Sequence, residues 1–378
     1  MIKSLNGYDA GLPDTPNEGA PSSVIIVEGN PTGHRLSYVS LLADAADESA
    51  MNISILTSKV ARDSPEWALH LGSFEGAVEL DESENLEQFA RLADERAASV
   101  VVIPDGDKYL KHLFLHGWRS SSRISLLVMR PDGQASGGRL RAVGSGVLKK
   151  ILILAVNLRR RVHVRALSSS LREGTRMVPS VPDPVSFAPS EIATRELRRE
   201  MEAGQGEYWV AVLGLITRRK NLDAIAEAVA SIPWGGLVLA GSLTADARAL
   251  AEPFLRQLLA EGRLITHFGS LSDSDFDAVI SAVDCVAVVH SNNGPSGVVG
   301  KAAAAGTRLI LGGARSLKRD WASARQVATW SGSTPKELAY AMAKSRNVEP
   351  LPMTRPLASK SQFCEVMLLR SSKSRNEA

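Results

Sequence analysis

The most concentrated chemistry in this 378-residue chain lies in Val289-His290-Ser291-Asn292-Asn293-Gly294-Pro295-Ser296-Gly297, between an apolar run and a run of alanines. Two glycines let the backbone approach a ligand closely, and a helix opening near Ser296 would aim unpaired amides and its positive dipole end at an anion. Ser296, Gly297 and Val298 are therefore candidate diphosphate binders. The plainer alternative is a tight strand-to-helix turn of small residues. A second segment is Gly214-Leu215-Ile216-Thr217-Arg218-Arg219-Lys220-Asn221. Its three cations stand just before a helix, where they oppose the macrodipole and want an anionic partner. Arg218 and Arg219 offer planar, bidentate grips on phosphate oxygens, and Lys220 a compact point charge. A solvated helix start is the alternative; we expect the phosphate role.

Both segments need a strand behind them and a helix ahead. Short β-branched runs alternate with amphipathic stretches from Val24 onward: Val24 to Val27, Ile53 to Leu56, Val100 to Ile103 and Ile124 to Val128. Runs apolar on both faces indicate a parallel sheet covered by helices. The alternation breaks at Val181-Pro182-Asp183-Pro184-Val185, where two prolines bar a helix. It restarts at Trp209 to Gly214 and continues through Leu237 to Ala240, Leu264 to Thr266 and Val286 to Val289. Two doubly wound α/β domains in tandem are predicted, over 24–183 and 206–350, with 184–205 as linker and 351–378 as a C-terminal helix and tail. Ligands collect at the carboxyl ends of such strands, so two facing Rossmann-like domains create a central cleft suited to two substrates.

The order of these elements resembles the C-terminal half of the retaining glycosyltransferases often called glycosyl transferases group one. The resemblance rests on the Val-Pro-Asp-Pro-Val segment at 181–185, the spacing from Gly214 to Lys220, and Gly300-Lys301-Ala302-Ala303-Ala304-Ala305-Gly306-Thr307 before Leu309-Ile310-Leu311. It extends over most of 24–345 and weakens toward the N-terminal half. It implies a GT-B fold and transfer of a sugar from a nucleotide-sugar donor to an acceptor hydroxyl, with retention and without a metal or separate cofactor. Lys220 and the amides from Ser296 to Val298 would contact the donor diphosphate, and Gly214 would border it. Family members carry two glutamates eight residues apart where this chain has Asn293 and Lys301, and an arginine where it has Leu215. By that correspondence Asn292, Asn293 and Lys301 face the donor sugar or ribose. Asn293 can donate and accept hydrogen bonds, whereas Lys301 only donates.

In the N-terminal half, Gly33 permits close approach to a diphosphate, and His34 at a helix start is a candidate hydrogen-bond donor or proton carrier. Arg130 ends a strand facing the cleft, where relatives keep a histidine, and is the third candidate catalytic residue beside His34 and Asn293. His112 and His116 stand four apart without a third ligand, which argues against zinc. No G-x-G-x-x-G or Gly-Lys-Ser/Thr pattern occurs, so dehydrogenase and kinase readings lose ground. Cations exceed acids by only 3, too few for a nucleic-acid binder, and Cys285 and Cys364 suggest no disulfide framework. Residues 1–23 lack an apolar signal-type core, from which we expect a mobile lead-in and a cytoplasmic protein. Val147 to Val162 joins an apolar centre to Lys149, Lys150 and Arg159 to Arg161. It fits either a helix packed on the sheet, the reading we prefer, or an interfacial segment at the inner face of a membrane, beside a lipid-linked acceptor. Glycan and small-molecule acceptors stay open. The rival functions are a GT-B relative that binds a nucleotide sugar or a partner glycosyltransferase without turnover, and a nucleotide-sugar epimerase, for which no cleft carboxylate is evident.

Overall fold

The apolar runs become the central strands of two parallel sheets. The computed structural model describes residues 23–32, 35–82, 85–131, 139–171, 177–291, 293–321, 324, 327–349 and 357–370. The first sheet contains β1 (Ser23–Val27), β2 (Asn52–Thr57), β3 (Ala77–Leu80), β4 (Val100–Ile103), β5 (Arg123–Val128), β6 (Val162–Ser168) and β7 (Ser180–Pro182), in the order β3-β2-β1-β4-β5-β6-β7. The second contains β8 (Tyr208–Leu213), β9 (Gly235–Gly241), β10 (Leu264–Phe268), β11 (Cys285–His290), β12 (Arg308–Gly313) and β13 (Ala328–Ser331), ordered β10-β9-β8-β11-β12-β13. Every strand pairing is parallel. β4, β8 and β11 are buried at every position, because helices cover both sheet faces and leave no side open to water.

The segment 184–205, expected as a linker, contains the helix Glu191–Ala203. Ser190 caps it, and its Leu197 and Met201 join the core of the second sheet, so charge on its outer face had hidden an amphipathic helix. The predicted C-terminal helix is present at Lys360–Met367 and returns to the first domain. There Phe363 stacks on Tyr38 of the helix Arg35–Asp47, with ring centroids 5.2 Å apart. Residues 1–22, most of the expected lead-in, lie outside the described residues.

The ends of β8 and β9 approach so closely that a side chain cannot intervene. Gly241 has φ 113°, and a Cβ there would stand 2.5 Å from the Gly214 carbonyl oxygen. Gly241→Ala is therefore expected to destabilise the protein by about 1–3 kcal/mol, read as a lower urea midpoint with unchanged slope. An unaltered midpoint would show that the two strand ends separate freely.

Candidate functional site

Strand order reverses between β1 and β4 in one sheet and between β8 and β11 in the other, which opens a crevice beyond the carboxyl end of each. The crevices face one another across a cleft of ≈ 580 Å³ lined by both domains. From the second domain, the turn Arg218–Lys220 follows β8 and docks on the end of β11. The Ser291 N–H donates to the Arg219 carbonyl at 2.8 Å, and the Asn221 side-chain amide donates to the Val289 carbonyl at 2.9 Å. Asn221 adopts the left-handed conformation, φ 50°, which redirects the chain into the helix Leu222–Ala230. Two segments some 70 residues apart thus become one surface.

Lys220 is 8% exposed and its ammonium donates to the Leu213 carbonyl. Among the described residues no carboxylate forms a salt bridge with it. Burial, and then the charge of Arg219, pulls its pKa down to about 7. His290, the last residue of β11, is buried alongside; burial, then Lys220 and Arg219, push its pKa down to about 3, so the ring stays neutral. Arg219 is shifted downward by desolvation and then by Arg130 of the first domain. Positive groups from both domains therefore converge in the cleft, where an anion would relieve their repulsion.

The expected site residues divide accordingly. Gly214, Arg219, Lys220, Asn293, Ser296, Gly297, Val298, Lys301 and Arg130 all line this cleft. Arg218 is exposed and does not. Ser296 precedes the helix Gly297–Ala305 and its side chain makes no capping bond; the Val299 and Gly300 amides donate to the Ser296 carbonyl, which leaves those of Gly297 and Val298 for other partners. Asn293 has a structural partner, since its Oδ1 accepts the Ser316 N–H at 3.1 Å. Lys301 is committed too. Its ammonium lies 2.6 Å from Asp277 Oδ1 and 3.8 Å from Asp273 Oδ1, so its charge is matched within the protein. Gly33, His34 and Asn292 lie outside the described residues.

Sequence reasoning overlooked several cleft residues. His290 ends the apolar run Val286 to Val289, and that position on a central strand is the signal that points to it. Carboxylates that the sequence left unlocated are present in the cleft: Glu66, Asp183 and Asp273. Asp183 is buried and accepts a 2.7 Å hydrogen bond from the Tyr38 hydroxyl; burial raises its pKa to about 6, while the Tyr38 bond acts the other way. Glu66 of the first domain accepts from Ser270 of the second at 3.1 Å, spanning the cleft. Among the described residues no group of three His, Cys, Asp or Glu stands close enough to hold a metal.

No protein-family model matches the sequence, and no curated protein matches it. Solved structures do. The chain is similar to Anabaena Alr3699/HepE in complex with UDP and glucose, at 12% identity, 92% of each chain covered and TM-score 0.61. It is also similar to sucrose-phosphate synthase from Thermosynechococcus elongatus, at 15% identity, 92% of this chain and 94% of that one, TM-score 0.62. A putative UDP-N-acetylglucosamine 2-epimerase from Listeria monocytogenes matches at 11% identity, 93% and 92% coverage and TM-score 0.55. At such identities the likeness establishes the fold, which is GT-B.

Proposed function

We propose, with the GT-B fold as premise, that this chain transfers a sugar from a nucleotide-sugar donor to an acceptor hydroxyl. The observation that carries the reading is Lys220: a buried lysine at the switch point of the second sheet, without a carboxylate partner among the described residues, lining the same cleft as a helix start without a side-chain cap. Such a group is costly to keep unless a ligand anion completes it. The donor diphosphate is that anion. As the sugar leaves it, negative charge grows on the bridging oxygen, and Lys220, Arg219 and the amides of Gly297 and Val298 stabilise it in a largely dehydrated cleft. His290 enters as a neutral hydrogen-bonding group beside Lys220, and Arg130 closes the cleft from the acceptor domain. In this scheme cations and amides perform the charge stabilisation without a metal, and retention of anomeric configuration follows the family that the sequence resembles.

UDP is the first nucleotide to test, because the Anabaena neighbour carries it. In a thermal-shift panel of nucleoside diphosphates, one member should raise the melting temperature, since a ligand at 100 times its Kd adds about 2.7 kcal/mol. A panel in which none does so would remove the diphosphate site. A second reading has its own support. Lys301, ion-paired with Asp277, stands where the resembled family has a glutamate, so a protein that binds the donor without turnover is the alternative. Nucleotide binding with no release of nucleoside diphosphate from matched nucleotide sugars, across a set of acceptors, would favour it.

A further inference from the structure

The helix Arg139–Asn157 carries two apolar stripes. Ile153 and Val156 are fully buried in the core of the first sheet. Val147, Ile151, Leu154 and then Leu158, just past the helix end, recur at intervals of 4, 3 and 4 residues on the opposite face, and all are exposed. Leu148 beside them is 68% exposed and Leu158 88%. On the adjoining helix Leu110–His116, Phe114 and Leu115 are exposed as well. Scattered exposed leucines need no explanation, but two neighbouring helices that turn this many outward form a surface for something apolar.

Charge identifies the occupant. No Asp or Glu occurs from Lys108 to Pro131 or from Gly133 to Arg172. Lys111, Arg159 and Arg160 are exposed around the stripe. Among the described residues, the carboxylates that reach these stretches from elsewhere include Asp107, paired with Lys149, Glu87, at 3.8 Å from Arg119, and Asp94, which accepts from Ser120 and Ser121 beyond the end of the helix Leu110–His116. A two-fold contact with a second copy would press these cations against their own images, whereas anionic headgroups would neutralise them while acyl chains receive the apolar stripe. Lys149 also donates to the carbonyl of the cleft residue Arg130 at 2.8 Å, which ties this helix to the rim of the cleft.

We propose that the face formed by the helices Leu110–His116 and Arg139–Asn157 lies on an anionic lipid surface. The proposal does not depend on the sugar-transfer reading. Its test is flotation of the full chain with vesicles of phosphatidylcholine, alone or with phosphatidylglycerol added. Binding is expected to the anionic vesicles and to weaken with salt. Each cation near such a surface accounts for roughly fivefold in partitioning, so Lys111→Gln/Arg160→Gln should lose roughly thirtyfold. Leu148→Ser/Ile151→Ser/Leu158→Ser should lose at least about tenfold while keeping its melting temperature, because those side chains are exposed. Equal binding to both vesicle types, or variants that bind like the wild type, would overturn the proposal. So would a concentration-dependent dimer that the serine variant dissolves, with no vesicle binding by either protein, since the face would then belong to a second copy.

Discussion

Lys220→Met is expected to lower kcat/KM for sugar transfer by roughly 10²- to 10³-fold, the usual effect of losing one preorganised group that meets developing charge. The same change should stabilise the protein without ligand, an opposition that separates a binding role from a structural one. The folded pKa of Lys220, about 7, lies below the ordinary value of 10.5, so the folded chain holds that proton less tightly than the unfolded chain. The penalty is fully present below about pH 7 and fades as pH rises toward 10.5, where the side chain is neutral in both states. Methionine has no such penalty. Lys220→Met should therefore exceed wild type by a few kcal/mol in urea denaturation at pH 7, with the advantage shrinking by pH 10. A variant less stable at every pH would mean that the Leu213 contact is structural.

Ligand binding carries the same signature in reverse. A diphosphate beside Lys220 favours the ammonium, so binding above pH 7 must take up a proton, and affinity should fall as pH rises. Calorimetry at pH 8 in two buffers of different ionisation enthalpy should detect close to one proton taken up by the wild type. Lys220→Met should take up about one fewer.

The central strands were legible because burial on both faces leaves nothing but apolar residues, as in Val100 to Ile103 and Val286 to Val289. Edge strands were not. β3 is partly exposed along its whole length, and β13 is buried only at Ala328. β6 carries His163 and Arg165 half-buried among its apolar residues, directly after three arginines, and so merged with the basic stretch before it. The lining of the cleft was readable where it obeys local rules: cations and glycines at strand ends before helices. Pairings over long separations were not. Tyr38 meets Asp183 across 145 positions, and Asp277 meets Lys301 across 24, beyond any helical or strand period. The basic helix at 139–157 was ambiguous between packing and lipid contact because its sequence carries both patterns, one on each face.

Lys301→Met is the second change with a large expected effect, here on stability. Asp277 is 3% exposed at its side chain; its Oδ1 meets Lys301 at 2.6 Å and its Oδ2 accepts the Ala188 N–H at 2.9 Å. Removing the cation strands a buried carboxylate with a single amide donor, a loss of about 3–5 kcal/mol in comparable pairs. Lys301→Glu should be worse still, because the new carboxylate would face both Asp277 and Asp273. Adding Asp277→Asn to Lys301→Met keeps an acceptor for Ala188 and deletes the stranded charge, so the double variant should recover most of the loss. A double-mutant cycle in urea would report that coupling directly. If Lys301→Met stayed within about 0.5 kcal/mol of wild type, the pair would be dispensable and Lys301 open to a ligand role. A large coupling would instead mean that Lys301 anchors Asp277, and through it the segment around Ala188 that joins the domains, so any ribose contact has to come from other cleft residues.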